Sequence, residues 1–448
     1  MRPRSSKQLF ETNEAKMQKR SLVAIALLAA GAAAHLTIAQ TQSPRHLSLS
    51  EARQIALRTH PRISSANLVA QAAKSAVMES RAPYYPFVTA NFTSVGAQHN
   101  STLGAGAVQT SSLYSRVAAG ITIGQLITDF GRTSNLADTA KLRAAAQELN
   151  VENTRAAILI EVDQAYYQAL AADTVLRVSQ AVVQNRQLIL RQVKTLAQSS
   201  LKSTLDVSFA DVAASDAELA LVRAENDVAA SRARLSAALG EGRAEQFELA
   251  DEPLPGSLGP NPETLVAQAV KERPDLAALK LNRDAAHRFA DAERALNRPT
   301  VSLMGVAGGL PATDPRLHGM YSAAGVNVSI PILNGKLYSA RQTEAQLRAQ
   351  AIDRDVDDLT IQVSEQVRVA WLAANTAFRR LDVTARLVVQ AQQSLRLAQV
   401  RYDNGLGSIV ELNQAQVSQI SAEIAAAGAK YEYLTRRAGL SFVMGTLR

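Results

Sequence analysis

The apolar positions of this chain step by threes and fours over two very long stretches and by twos over four short ones. Between Gly335 and Gly405 lie 69 residues with neither glycine nor proline. Leu359, Val363, Val367, Ala370, Ala374, Phe378, Leu381, Ala385 and Val388 fall there on one helical face. Leu395 and Tyr402 continue the stripe at the seven-residue spacing of a coiled coil. An unbroken helix over this stretch reaches about 100 Å, whereas globular helices usually have about 10–14 residues. One this long needs a partner of similar length. A second such stretch lies between Gly131 and Gly240, with Ile158, Val162, Ala165, Ala169, Ala172 and Leu176 on one face. All fourteen prolines fall outside 87–252 and 332–448, so helix breakers are kept out of both zones. The pattern predicts long helices over 132–199 and 336–403, with return helices over 205–239 and 408–445.

The period of two appears elsewhere. In 87–97, Val88, Ala90 and Phe92 alternate with Thr89, Asn91 and Thr93. In 114–127, Val117, Ala119, Ile121 and Ile123 oppose Ala118, Gly120, Thr122 and Gly124. Residues 300–308 carry Val301 and Leu303, and 320–330 set Val326, Val328 and Ile330 against Gly325, Asn327 and Ser329. One apolar face and one small or polar face fit a sheet between lipid and water. These lengths match the roughly 9–11 residues with which a strand crosses a bilayer. On alternation alone, a soluble antiparallel sheet fits as well. The links 98–113, rich in Gly, Ser, Thr and Asn, and 310–319, with Pro311 and Pro315, read as exposed loops.

The two halves repeat. A helix over 47–58 stops before Pro61, and another over 66–81 stops at Pro83 and Pro86. A helix over 263–273 ends at Pro274, and the next runs to Asn297 before Pro299. Pro61 to Pro274 and Pro86 to Pro299 are each 213 residues. Further on the offset is 205 for Tyr166 and Trp371, for 203–207 and 408–412, and for Gly240 and Gly445; Gly131 and Gly335 pair at 204. The domain reading is therefore a first repeat over 40–240, a second over 263–448, and a proline-rich linker over 241–262. Each repeat has the order helix, strand, strand, helix, and the first carries the longer insertion between Pro86 and Gly131.

Composition narrows the class. Alanine is abundant and charged residues make up 20% of the chain, which suits closely packed helices. The formal charge of +8 is half contained in residues 1–20. Met17, an alternative start, opens a basic segment through Arg20; 21–34 are apolar, and Thr37-Ile38-Ala39 fits a cleavage site. Residues 1–39 thus read as a secretory signal cut after Ala39. An uncleaved anchor is the other reading, although the apolar run is short for a spanning helix. There is no cysteine, which excludes disulfides and thiolate sites. No basic block with interleaved aromatics points to nucleic acid. His35, His46, His60, His99, His287 and His318 are scattered, and no Walker A, G-x-S-x-G or H-E-x-x-H motif occurs. The chain reads as a non-enzyme without cofactor or metal.

Four strands cannot close a barrel, and open edges do not persist in hydrocarbon. Three copies would give twelve strands, within the range of outer-membrane barrels. The chain resembles the TolC-like outer membrane efflux proteins over nearly all of 40–448. The resemblance rests on the duplicated pattern, its proline boundaries, and the run Arg401-Tyr402-Asp403-Asn404-Gly405-Leu406-Gly407-Ser408-Ile409-Val410-Glu411-Leu412. It implies a mixed α and β membrane protein: a homotrimer whose twelve-stranded β-barrel, four strands per chain, joins a long α-helical barrel. It places the barrel in outer-membrane lipid and the helices in the periplasm. It implies a periplasmic adaptor and an inner-membrane pump or ABC transporter as partners. The implied function is the passive exit duct of a tripartite efflux system for small molecules. Type I protein secretion and metal efflux stay open, and so does an exported coiled-coil scaffold.

The resemblance also implies roles at the helix tips. Tyr402, Glu411 and the repeat counterpart Asp206 fall where the family narrows its tunnel, and a ring of carboxylates there would favour cations. Ser199, Ser200, Leu201, Asn404, Gly405 and Leu406 fall where adaptors dock. The chain departs from the family at the first tip, where Ser200 stands in place of a glycine. It departs at the second, where Gly407 stands in place of a basic residue and Gln414 in place of a second acid. From the residues alone, Ser203 and Ser408 fit N-caps with Asp206 and Glu411 three positions on, the capping-box spacing. Capping and gating are compatible. Tyr166 and Trp371 read as packing residues.

Overall fold

With no glycine or proline to interrupt them, the two long stretches each form one helix of 67 residues. The computed structural model describes residues 45–96, 102–105, 108–112, 115–242, 247–259, 261–313 and 318–447; the expected signal segment lies outside them. In chain order the elements are β1 (Arg45–Leu47), α1 (Leu49–Thr59), α2 (Pro61–Arg81), β2 (Phe87–Val95), β3 (Thr102–Ala105), β4 (Val108–Ser112), β5 (Arg116–Thr128), α3 (Arg132–Gln198), α4 (Thr204–Ala238), β6 (Phe247–Leu249), α5 (Pro262–Glu272), α6 (Pro274–Arg294), β7 (Thr300–Thr313), β8 (Met320–Ser329), α7 (Leu337–Asp403) and α8 (Ile409–Val443). The described residues divide into a small unit, to which 45–46 and 247–248 belong, and a large unit holding the rest. In the small unit His46 faces Glu248 at 3.4 Å. Everything below concerns the large unit.

The halves repeat element by element. Proline opens α2, α5 and α6 at N1, where its missing N–H loses no bond. From α1 and α2 to α5 and α6 the offset is 213, and from α3 and α4 to α7 and α8 it is 205. The sequence pairing of Gly131 with Gly335 is corrected by one residue. Phe130 and Gly131 match Gly335 and Lys336, and all four have left-handed backbone, with φ of 53°, 100°, 59° and 68°. The return helices end at Gly240 and Gly445, with φ of 79° and 74°. A Cβ at Gly240 would lie 2.8 Å from His60 Cα, and one at Gly445 3.0 Å from Arg273 Cα. His60 and Arg273 are the matched kinks between the short helices, so each return helix ends against its own repeat's kink.

α3 packs along α4, α7 along α8, and α6 between α3 and α7, while α3 also faces α8. Toward its end the buried stripe of α7 runs through Thr384, Ala391 and Ala398 at seven-residue steps, then Tyr402. The sequence pattern placed Leu381, Val388 and Leu395 in that seam. They lie half-buried at its edge, and Ala385 is exposed. Small side chains fill the seam because they let the helix backbones approach closely, and the larger ones flank it.

The sheet runs β2-β5-β7-β8, antiparallel throughout, so β5 and β7 join the repeats. Its register brings Val88 beside Ile123, Ala90 beside Ile121, Ile121 beside Ala307, and Leu303 beside Val326. All the apolar alternates therefore share one face. It is uncovered in the single chain, with Phe92 74% and Val326 66% exposed. On the other face Asn91 donates to Thr122 Oγ1 at 3.0 Å, and Tyr321 lies across Gly120 and Gly308, where a Cβ would meet its hydroxyl at 2.3 and 2.4 Å. Two expected loops are shorter than read. β3 and β4 form a hairpin inside 98–113. β7 continues to Thr313 past Pro311, tolerated because the ladder with β5 shifts register between Val117 and Ala119.

Candidate functional site

Both helical hairpins turn by the same device. Leu201 N donates to Leu196 O at 2.9 Å and Ser200 N to Ala197 O at 3.0 Å. In the second tip Leu406 N donates to Arg401 O at 2.7 Å and Gly405 N to Tyr402 O at 3.1 Å. This is the Schellman closure, which needs a left-handed residue after the helix. Gly405 supplies it at φ 70°; Ser200 supplies it at φ 59° without glycine's freedom. Leu201 and Leu406 are each 70% exposed.

The two carboxylates part company. Ser203 caps α4 in a full capping box: Asp206 N donates to Ser203 Oγ at 3.1 Å, and Asp206 Oδ2 accepts from Ser203 N at 3.0 Å. Ser408 likewise receives Glu411 N at 3.1 Å, but the Glu411 carboxylate turns instead to Arg401 Nε at 3.1 Å. Arg401 Nη2 also donates to Leu406 O at 3.1 Å, so the ion pair braces the second turn. Gly407 leaves room for it, since a Cβ there would lie 3.1 Å from Glu411 Oε2 and 3.2 Å from Arg401 Cβ. The capping-box reading therefore holds for Asp206, and only its serine half holds for Glu411.

Tyr402 is buried against Ala398, Ile409, Leu412 and Ala415, with Leu395 at the margin. Its hydroxyl is buried and has no hydrogen-bond partner among the described residues. Lys202 of the first tip sets its ammonium 4.0 Å from the ring centroid, a cation–π contact that joins the two hairpins. Lys202 is the repeat counterpart of Gly407, so the cation missing from one tip stands in the other. Farther from the tips, a groove of about 850 Å³ lies between α3, α7 and α8. Arg186 lines it while itself buried, and burial pushes its pKa down.

The model of the family described as outer membrane efflux protein matches residues 52–241 and 265–446. The chain belongs to that family. It is 26% identical to the probable efflux pump outer membrane protein TtgC of Pseudomonas putida, over 86% of this chain and 79% of that protein. It is 22% identical to the outer membrane protein TolC of Escherichia coli, over 89% of this chain and 82% of that protein. Among solved structures, the outer-membrane channel OprN matches with a TM-score of 0.77 and 19% identity, over 89% of this chain and 90% of that one. The Campylobacter jejuni CmeC outer membrane channel matches with a TM-score of 0.76 and 16% identity, over 89% and 85%. This efflux protein is thus an exit duct of the outer membrane, with its helices in the periplasm, and its family is one of transport channels. Among the described residues no helix is long and apolar enough to cross a membrane.

Several side chains of the efflux protein do work that its sequence did not reveal. Tyr166 donates to the backbone, 2.8 Å from Leu47 O and 2.7 Å from Ala250 O. Trp371 Nε1 donates to Gly259 O at 3.0 Å, and Tyr433 to Gly256 O at 2.7 Å. These aromatics strap the linker as well as pack. Asp163, fully buried on α3, receives Arg53 of α1 in a two-bond fork of 2.7 and 2.6 Å. Burial pushes the Asp163 carboxyl up against the pull of Arg53, and the carboxylate holds the Arg53 guanidinium above its ordinary value. At the matched position of the second repeat stands Arg368, which forks onto Glu263 of α5 at 2.9 and 2.9 Å. The charges are reversed and the pair is exposed. Periodicity could not show either contact, because neither partner is near the other in sequence.

Proposed function

We propose that three copies of the chain close a twelve-stranded barrel in outer-membrane lipid and continue it as a helical tunnel. The supporting observation is the sheet: open edges at β2 and β8 and one uncovered apolar face. Edges of that kind need partners in hydrocarbon. A periplasmic adaptor docks on the tips, at Ser199, Ser200, Leu201, Asn404, Gly405 and Leu406. The exposed Leu201 and Leu406 support this, since they offer apolar contacts at both turns. Tyr402, Glu411 and Asp206 form the constriction, with Tyr402 held by Lys202. An inner-membrane pump supplies the energy. The cargo is small apolar or amphiphilic molecules, in line with relatives named for antibiotic and toluene efflux.

Electron microscopy of the detergent-solubilised mature chain tests the assembly. A threefold particle with a membrane belt and a hollow stalk of about 100 Å is expected from helix length. A compact monomer or a solid rod would refute it. Deleting the chain in its own host should sensitise cells to lipophilic antibiotics and solvents. Unchanged tolerance together with loss of a secreted protein would reassign the duct to protein secretion.

A further inference from the structure

Arg186 is only 5% exposed, and its Nη1 donates to Asn413 Oδ1 at 2.6 Å and to Gln416 Oε1. Both acceptors are neutral amides. Among the described residues its Nε and Nη2 have no hydrogen-bond partner, and no carboxylate lies within ion-pair distance. A guanidinium keeps its charge at any physiological pH, and a buried charge without a counter-charge is strongly unfavourable. Two more arginines, Arg177 and Arg396, line the same groove. Arg177 donates to a neutral hydroxyl, Thr174 Oγ1, at 3.2 Å, and Arg396 has no partner among the described residues. The lining includes one carboxylate, Glu423, which already accepts from Gln392 at 3.4 Å and from Gln419. The groove therefore has unbalanced positive charge, its deepest cation has free donors, and its volume exceeds that of a phosphate or carboxylate group.

We propose that this groove is an anion site, in which Arg186 holds an oxyanion at the floor while Arg177 and Arg396 hold it at the rim. The oxyanion is a carboxylate or phosphate-like group, borne by a dissolved solute or by an acidic side chain of a neighbouring copy. The inference does not depend on what the duct exports; its neighbouring-copy arm rests on the trimer, which microscopy of the same sample checks separately.

Equilibrium dialysis of the detergent-solubilised full chain against radiolabelled sulfate, at constant ionic strength, reads the site. For a dissolved anion, wild type takes up sulfate that phosphate and acetate displace, and Arg186→Gln weakens uptake by about tenfold or more, as loss of charged hydrogen bonds should. Arg177→Gln and Arg396→Gln, at exposed positions, each weaken it about two- to fivefold. For a neighbouring carboxylate, wild type takes up no sulfate, and Arg186→Gln lets the particle dissociate at about tenfold higher protein concentration. Equal uptake by wild type and folded Arg186→Gln overturns the proposal, and so does no uptake with unchanged assembly. Should Arg186→Gln not fold, the Arg177→Gln and Arg396→Gln double variant decides, and uptake and assembly both unchanged in it overturn the site.

Discussion

Asp163→Asn should destabilise the helical part of the protein far more than neutralising the carboxylate of the Glu263–Arg368 fork in the other repeat. Asp163 is fully buried, and both its oxygens are taken by Arg53 at 2.7 and 2.6 Å. Asparagine keeps one acceptor, turns an NH2 group toward the guanidinium, and leaves that cation without a counter-charge. Breaking a buried pair costs roughly 3–5 kcal/mol. The Arg53 side chain is 32% exposed, so water recovers part of the loss, and about 2–4 kcal/mol is the expected penalty. Urea unfolding of the solubilised protein, followed by far-ultraviolet circular dichroism, measures it as a fall in midpoint at constant slope. Glu263→Gln is the control. It breaks a fork of the same geometry onto Arg368, but in solvent, and should leave the midpoint within error. Equal shifts in the two variants would refute the argument that burial sets the difference. So would a neutral Asp163→Asn.

Three further outcomes follow from the geometry. Gly240→Ala should lower the unfolding midpoint, because φ is 79° and a Cβ would sit 2.8 Å from His60 Cα, whereas Gly259→Ala, with nothing within 4 Å, should not; equal midpoints would refute the clash. On the proposed constriction, Glu411→Gln should reduce the cation selectivity of the reconstituted channel, and unchanged reversal potentials in asymmetric salt would overturn the place proposed for Glu411 there. Burial pushes Asp275 up, but the Arg273 guanidinium and the Leu276 amide outweigh it and hold the carboxyl below its ordinary 3.8. Its stabilising share is complete above that value and is lost as pH falls through the lower folded-state pKa. Asp275→Asn should therefore flatten the acid limb of stability against pH, and an unchanged limb would rule the pair out.

The long helices were legible because their signal is local. Prolines and glycines are excluded from 132–198 and 337–403, and a helix needs little else to be read. The repeat was legible because cap and kink residues recur at fixed offsets. The strands were legible by alternation, but their common apolar face needed the register. What stayed hidden depends on contacts distant in sequence. The seam at Thr384, Ala391 and Ala398 carries too little hydrophobicity to stand out beside Leu381, Val388 and Leu395. No local pattern sets Lys202 over Tyr402; only the fold brings the two tips together. The burial of Arg186 depends on Asn413 and Gln416, far from it in sequence, which no periodicity links to it. At Glu411 the capping-box spacing was correct, yet Arg401, ten residues earlier, took the carboxylate.

The reversal of charge between Asp163 and Arg368 bears on how two nearly superposable halves avoid being confused while the chain folds. Each half offers a short helix that must find its own long helix, and the lengths and kinks of the two are alike. The 213 offset sets Arg53 against Val266 and Glu263 against Ser50, so if α5 settled on α3 an apolar side chain would stand where Arg53 stands, and if α1 settled on α7 a cation would enter the apolar seat of Val266. The first would leave the Asp163 carboxylate buried and unpaired, and the second would bury a charge beside Val363 and Val367. Wrong pairings would thus be short-lived encounters, and the duplicated chain has a means of telling left from right.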